Sequence, residues 1–225
     1  MTRNKTRGTC ALCGYESSKA GVTRHLKSCP GKHGGTGKAT KVWQLRVEDA
    51  YSSYWLDLEI KTGATLADLD PFLREVWLEC CGHLSAFDID RERYGDSYGL
   101  DAPGGFDLGE KSMNAKVEEV LSPDLKFTHE YDFGSTTELT LKVTGEREGR
   151  VGRAPLRLLA RNDAPNWTCR VCGEPATQVH TEEIHEEENP FYCDLHAEAQ
   201  GDGWAFLPVV TSPRMGVCGY TGREE

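Results

Sequence analysis

Six of the nine cysteines and two of the seven histidines fall into two metal-type arrangements at opposite ends of a 225-residue chain. Cys10-x-x-Cys13 is followed, after eleven residues, by His25-x-x-x-Cys29. Cys169-x-x-Cys172 is followed, after twenty, by Cys193-x-x-His196. A C-x-x-C pair aims two thiolates at one ion, and a second close pair completes a tetrahedral shell, which is the chemistry of zinc. Two structural zinc ions are therefore expected. A shell of four protein ligands leaves no position for water, so neither ion is expected to be catalytic. His33 beside the first set, and His180 and His185 beside the second, are alternative imidazole donors without close-spaced partners.

Cys80, Cys81 and Cys218 stand outside these sets. The plain reading is packing, since free cysteine is commonly a small buried apolar residue and the first two follow a core-helix pattern. Cys80-Cys81-Gly82-His83 also places thiols beside an imidazole. A third metal site from Cys81, His83 and Cys218, or a nucleophilic Cys81 activated by His83, are the chemical alternatives. Paired acids such as Asp88/Asp90, Asp96/Asp101 and Asp124/Glu130 belong to no motif with a reaction attached. Gly35-Thr36-Gly37-Lys38 is followed by Ala39 and preceded by no apolar strand, so it is not a phosphate loop.

The net charge of −10 hides an asymmetry. Residues 1–47 carry ten Lys/Arg and a single acid, Glu16, while the remainder carries sixteen bases against thirty-five acids. A basic arm on an acidic body points the arm at a polyanion. Arg3, Lys5, Arg7, Lys19, Arg24 and Lys27 are the candidate contacts, and the expected partner of residues 1–41 is DNA or RNA, or else an acidic protein surface. A lone finger reads only about three base pairs, so phosphate contact rather than base readout is expected. No apolar run approaches the roughly 18 residues of a membrane span, and Met1 to Cys10 has no signal-peptide core. Cysteines with metal spacing fit a reducing compartment, so the expected location is the cytoplasm.

Around these groups the chain divides into residues 1–30, a basic zinc-finger-like module with Val22 and Tyr15 as its apolar support, and a Gly/Lys-rich linker, 31–41, on which the finger would swing. Residues 42–146 read as an α+β domain, a mixed sheet with helices on one face. Val42, Leu45 and Val47 start one strand, and Tyr54, Leu56, Leu58 and Ile60 alternate as a second. Thr65 and Asp68 form a capping box before an apolar stripe of Leu66, Leu69, Leu73, Val76 and Trp77, with Pro71 in an early turn. Further strands are expected near Leu84–Ile89, Lys126–Phe133 and Glu138–Val143, with a short helix over Asn114–Leu121 and a Gly/Asp-rich excursion over Gly95–Gly109. Residues 147–163 read as a connector. Residues 164–225 form a treble-clef-like zinc module and tail, with a strand over Trp204–Val210.

The middle segment resembles the plasmid pRiA4b ORF-three-like family over about 95 residues. The matching elements are Trp55, Thr65-Leu66-Ala67-Asp68-Leu69, Trp77, His83-Leu84-Ser85-Ala86-Phe87, Arg93-Tyr94-Gly95 and Tyr131-Asp132-Phe133-Gly134. Ser85 stands where members often carry a second histidine, and Ser135-Thr136-Thr137-Glu138-Leu139 replaces a stretch that often holds an acid, a Trp and a His. The resemblance implies a fold more than an activity, and a plasmid or mobile-element setting. Three readings remain open: a zinc-stabilised, non-catalytic binding protein touching nucleic acid; an enzyme with a pocket around Cys81, His83 and Asp132; and a factor that docks only on proteins.

Overall fold

The computed structural model describes residues 6–50, 53–95, 110–185 and 189–222. Arg3, Lys5 and most of the Gly95–Gly109 excursion lie outside them. The body is built on ten strands: β1 (Arg7–Cys10), β2 (Glu16–Ser18), β3 (Thr40–Asp49), β4 (Trp55–Lys61), β5 (Ser85–Ile89), β6 (Glu92–Gly95), β7 (Lys111–Ser112), β8 (Lys126–Tyr131), β9 (Thr137–Gly149) and β10 (Leu156–Asn162). They form one sheet in the order β2-β1-β10-β4-β3-β9-β8-β5-β6-β7. Only the β6/β7 pair is parallel, so the sheet is mixed. A second sheet orders β12 (Phe191–Tyr192), β11 (Gln178–His180) and β13 (Phe206–Pro208). No helix among the described residues is long and apolar enough to cross a membrane.

The strand period of two sorts β4 onto two faces. Leu56, Leu58 and Ile60 point into the main core, where they meet Leu66, Leu69, Leu73 and Trp77. Those four ride on α3 (Leu66–Leu73) and the π turn Arg74–Leu78 that continues it past Pro71. Thr65 and Asp68 cap α3 reciprocally, as their spacing predicts. His129 Nε2 of β8 lies 2.7 Å from Asp70 Oδ1, which ties α3 to the sheet through a buried polar pair. The short α4 (Val117–Val120) adds Val117 to the same face.

Trp55 faces the other way. It packs with Cys10, Val22, Leu26, Cys29, Leu159 and Ala160, so the N-terminal finger roofs the second face of the sheet. Strand β1 pairs with β10 through Gly8 and Asn162, Thr9 and Arg161, and Cys10 and Ala160. The finger is therefore docked by strand pairing rather than swinging on its linker. The linker is itself held: Gly35 N donates to Arg150 O at 2.5 Å, and Arg157 donates to His33 O at 2.9 Å. Gly8 is the close-approach point, because a Cβ there would run into the Trp55 ring and the Arg161 carbonyl. We expect Gly8→Ala to cost about 1–3 kcal/mol by overpacking. An unchanged denaturant midpoint would show that β1 does not seat on Trp55.

The residues expected as a connector, 147–163, are largely sheet. Strand β9 runs to Gly149 against β3, and β10 lies between β1 and β4. Their charges read as linker polarity, but Arg147 and Arg157 turn inward, while Glu148, Arg150, Arg153 and Asp163 are exposed. Glu59 of β4 is fully buried between Arg147 (2.6 and 2.7 Å) and Arg157 (2.8 Å). Burial alone would push the Glu59 carboxyl up. Hydrogen bonds from Arg147 and Arg157 more than offset it and hold it below the usual carboxylate range. Beside it Arg46 grips Asp57 with two 2.7 Å bonds and stacks over Trp55.

Candidate metal centres

In the finger, β1 and β2 form a hairpin whose turn carries Cys10 and Cys13. Gly14 donates to the Cys10 carbonyl at 2.9 Å, and Cys10 donates to the Tyr15 carbonyl at 2.9 Å. Gly14 sits at φ +73°, a conformation that costs other residues a steric clash. The next elements are α1 (Lys19–Leu26), capped by Ser18, and α2 (Cys29–Lys32). They deliver His25 and Cys29 to the same point. Cys10 and Cys29 sulfurs lie 3.8 Å apart, Cys13 and Cys29 3.7 Å, and Cys13 Sγ lies 3.2 Å from His25 Nε2. Tyr15 stacks on the His25 ring at 4.3 Å and fixes its plane.

The C-terminal module repeats this logic. Gly173 (φ +77°) donates to the Cys169 carbonyl at 2.9 Å, and Cys169 donates to the Glu174 carbonyl at 2.7 Å. The β11/β12 hairpin follows, and Cys193 stands at the start of α5 (Asp194–Glu198), which carries His196. Cys172 and Cys193 sulfurs are 3.9 Å apart, and His196 Nδ1 lies 3.6 Å from Cys169 Sγ and 3.2 Å from Cys193 Sγ. Knuckle, hairpin and helix in that order give the treble-clef-like form expected from the sequence.

These spacings test the fit to zinc. Bonds of about 2.3 Å to sulfur and about 2.0–2.1 Å to nitrogen, set tetrahedrally, put sulfurs about 3.8 Å apart and sulfur and nitrogen about 3.5 Å apart. Both terminal clusters match. Their thiols are also unequal. At Cys29, burial and the neighbouring thiols push the pKa to about 12. At Cys169, burial would raise the pKa, but backbone donors from Cys193, Cys172 and Val171 bring it to about 6. A thiol high on this scale keeps its proton at neutral pH until a bound metal ion displaces it into solvent.

A third cluster joins the two. Cys80, Cys81, His83 and Cys218 place one donor atom each within 4.8 Å of all the others, as the terminal sets do, and any of the three groups could hold a metal ion. The packing role expected for these cysteines holds in part for Cys80, which is partly covered against the main core, but not for Cys81 and Cys218, which are exposed. The sequence offers Cys81, His83 and Cys218 only as an alternative and omits Cys80, because Cys218 lies 137 residues beyond Cys81 and belongs to no close-spaced pair. The available signals are Gly82 directly after a cysteine and the glycines around Cys218.

The pocket of the enzymatic reading does converge. His83 Nε2 lies 2.9 Å from Cys81 Sγ and 3.5 Å from Asp132 Oδ2. Asp132 is already committed, however, to the buried Arg214 at 2.6 Å and to the Gly134 amide at 3.1 Å. Burial would raise the Asp132 carboxyl, and Arg214 with the Ser135 and Gly134 amides holds it low. A carboxylate so paired is a poor base.

Among the predicted nucleic-acid contacts, Arg7, Arg24 and Lys27 are exposed, and Lys19 is bridged to Glu48 at 2.8 Å. Beneath α1 a groove of about 350 Å³ runs across the sheet. It is lined by Thr23 and Lys27 of the finger and by Arg46, Lys126, Lys142 and Thr144 of the sheet, with the acids Glu48 and Asp57 among them, and Arg46 donates to Thr23 at 2.8 Å. Sequence reasoning does not single out Lys126 and Lys142, because they lie far from the basic arm in the chain.

The model of the family described as Plasmid pRiA4b ORF-3-like protein matches residues 41–208. The match begins after the finger, passes through the Cys169/His196 cluster and ends before Cys218. No curated protein matches the chain. One similar solved structure is a protein of unknown function, MM3350 from Methanosarcina mazei Go1. The identity is 15%, the alignment covers 53% of this chain and 67% of that one, and the TM-score is 0.44.

Proposed function

We propose that this chain, which belongs to the plasmid pRiA4b ORF-3-like family, is a zinc-stabilised, non-catalytic accessory protein that contacts nucleic acid through its N-terminal module. Zinc held by Cys10, Cys13, His25 and Cys29, and by Cys169, Cys172, Cys193 and His196, fixes residues 1–30 and 164–225 against the middle domain. Both shells are closed by protein donors, which favours a structural role. A place in the cytoplasm and a tie to plasmids or mobile elements accompany this reading.

The observation that carries it is the groove beneath α1. Docking of the finger brings Lys27 to the same groove as Lys126 and Lys142, where Arg46 pairs the lining acids Glu48 and Asp57. Three lysine ammonium groups at one groove suit a phosphate backbone, which they position without reading bases. Arg24 and Arg7 extend the strip outward. Because the finger completes the sheet, the informative variants reverse charge rather than delete the arm.

Anisotropy of labelled single- and double-stranded DNA and RNA across a salt series tests this. We expect binding that weakens with salt. For duplex DNA the slope should shrink by about 0.9 for each phosphate that Arg24→Glu, Lys27→Glu or Lys126→Glu leaves unneutralised. Absence of binding at low salt, or binding indifferent to all three variants, would sink the reading. A second reading, protein docking, draws on Val171, Leu195 and Trp204, which are exposed by 56%, 71% and 77% on the C-terminal module. Partner capture lost in Trp204→Ala and untouched by the charge reversals would favour it.

A further inference from the structure

We propose that Cys80, Cys81, His83 and Cys218 bind a third zinc ion, which clasps the C-terminal tail to the domain body. Cys81 and Cys218 sulfurs lie 3.7 Å apart, and His83 Nε2 lies 3.3 Å from Cys218 Sγ, spacings that match those of the terminal clusters. Two further edges, Cys80 to Cys81 at 3.4 Å and Cys81 to His83 at 2.9 Å, are shorter, and all six lie within 4.8 Å. The two short ones lie within one tight loop, where neighbouring residues crowd their donors. Three thiolates and an imidazole are soft donors that select zinc over calcium or magnesium.

The backbone is shaped for this job in two places. Gly82 follows Cys81 at φ +75°, the conformation and position that Gly14 and Gly173 hold in the two knuckles. Cys218 itself sits at φ +52°, between Gly216 (φ +78°) and Gly219 (φ +69°). A non-glycine residue held there at the tip of a turn is unfavourable and persists only where its surroundings demand it. The direction it imposes brings the thiol to His83.

Both halves of the clasp are anchored independently of any ion. The Tyr131 hydroxyl accepts from the amides of Cys80 (3.4 Å) and His83 (3.3 Å) and donates to Glu79 at 3.1 Å, while Glu79 accepts from the Gly82 amide at 2.6 Å. On the tail, the fully buried Arg214 reaches Asp132 (2.6 Å), the Ser135 carbonyl (3.0 Å) and Thr137 (3.0 Å), and Ser212 donates to the Trp77 carbonyl at 2.6 Å. The Tyr131-Asp132 step of the hairpin thus holds the loop with its tyrosine and the tail with its aspartate. Arg214 also interacts electrostatically with the Cys80 thiol. A site of three thiolates and Zn²⁺ carries net negative charge, and a buried guanidinium beside it offsets that charge.

The test is the zinc content of full-length protein purified under reductant without added metal, measured beside Cys218→Ser and His83→Ala. We expect three ions per chain in the parent and one fewer in each variant, with Cys10 and Cys169 still protected from alkylation. Equal zinc in parent and variants overturns the proposal, as does a disulfide among Cys80, Cys81 and Cys218 in the parent. If the variants do not fold, cobalt titration of the parent decides: three equivalents with tetrahedral thiolate spectra support the clasp, and two overturn it. Failure of a terminal site would appear instead as a loss of protection at Cys10 or Cys169, so the two claims fail separately.

Discussion

Removing zinc from the finger is expected to wet Trp55 and detach β1 from the sheet. Metal binding in modules of this size is worth on the order of 10–16 kcal/mol of apparent folding free energy, as large as a domain's whole margin of about 5–15 kcal/mol. Cys10 and Cys29 belong to the same buried cluster as Trp55, so releasing the ligands also opens the roof over that ring. A tight chelator should therefore red-shift tryptophan emission, and the change should be much smaller in Trp55→Phe. The Trp55 indole donates to Thr6 at 2.8 Å, which ties the same ring to the segment just before β1. Emission indifferent to complete removal of zinc would show that the finger holds its place by packing alone.

Glu59→Ala is expected to destabilise the fold by about 3–5 kcal/mol, because it leaves Arg147 and Arg157 facing each other without their shared anion. Glu59 has no solvent exposure, and the two arginines keep 21% and 16% of theirs, so partial rescue by water sets the lower end of that range. The discriminating experiment is a comparison by denaturant midpoint. Replacing all three groups by apolar residues should cost less than replacing Glu59 alone, since a complete apolar exchange strands no charge. A triple variant as damaged as the single one would locate the effect in packing. The sign with pH also follows. The Glu59 carboxyl is held low in the folded state, so its contribution is present above the unfolded value of about 4.3 and lost as pH falls through the lower folded value.

Much of this architecture is legible in the residue pattern because hydrophobic periodicity and caps are local signals. Thr65 and Asp68 announce α3, Leu66, Leu69, Leu73 and Trp77 give its buried stripe, and Leu56, Leu58 and Ile60 mark the inner face of β4. The two C-x-x-C sets declare their partners by spacing. What is not legible is whatever depends on distant chain segments. Residues 147–163 look like a polar connector because Arg147 and Arg157 are charged, and nothing nearby reveals that Glu59, 88 and 98 residues away, buries them. Cys218 is legible only as an alternative ligand, behind packing, for the same reason. Its partners are more than 130 residues upstream, and no second thiol beside it signals a pair.

The pairing of β1 with β10 bears on how the chain is made. Thr9 bonds Asp163 across 154 positions of sequence, so the first strand emerges from the ribosome long before its neighbour exists. During that interval the finger has to stand as a separate knob, and the zinc ion proposed for it would let so short a segment keep shape without a core. Sheet closure is then a late step of synthesis, in which a preformed N-terminal piece is captured by the last strand of the body. Zinc supply during translation, rather than in the finished protein, would govern the yield of correctly closed molecules.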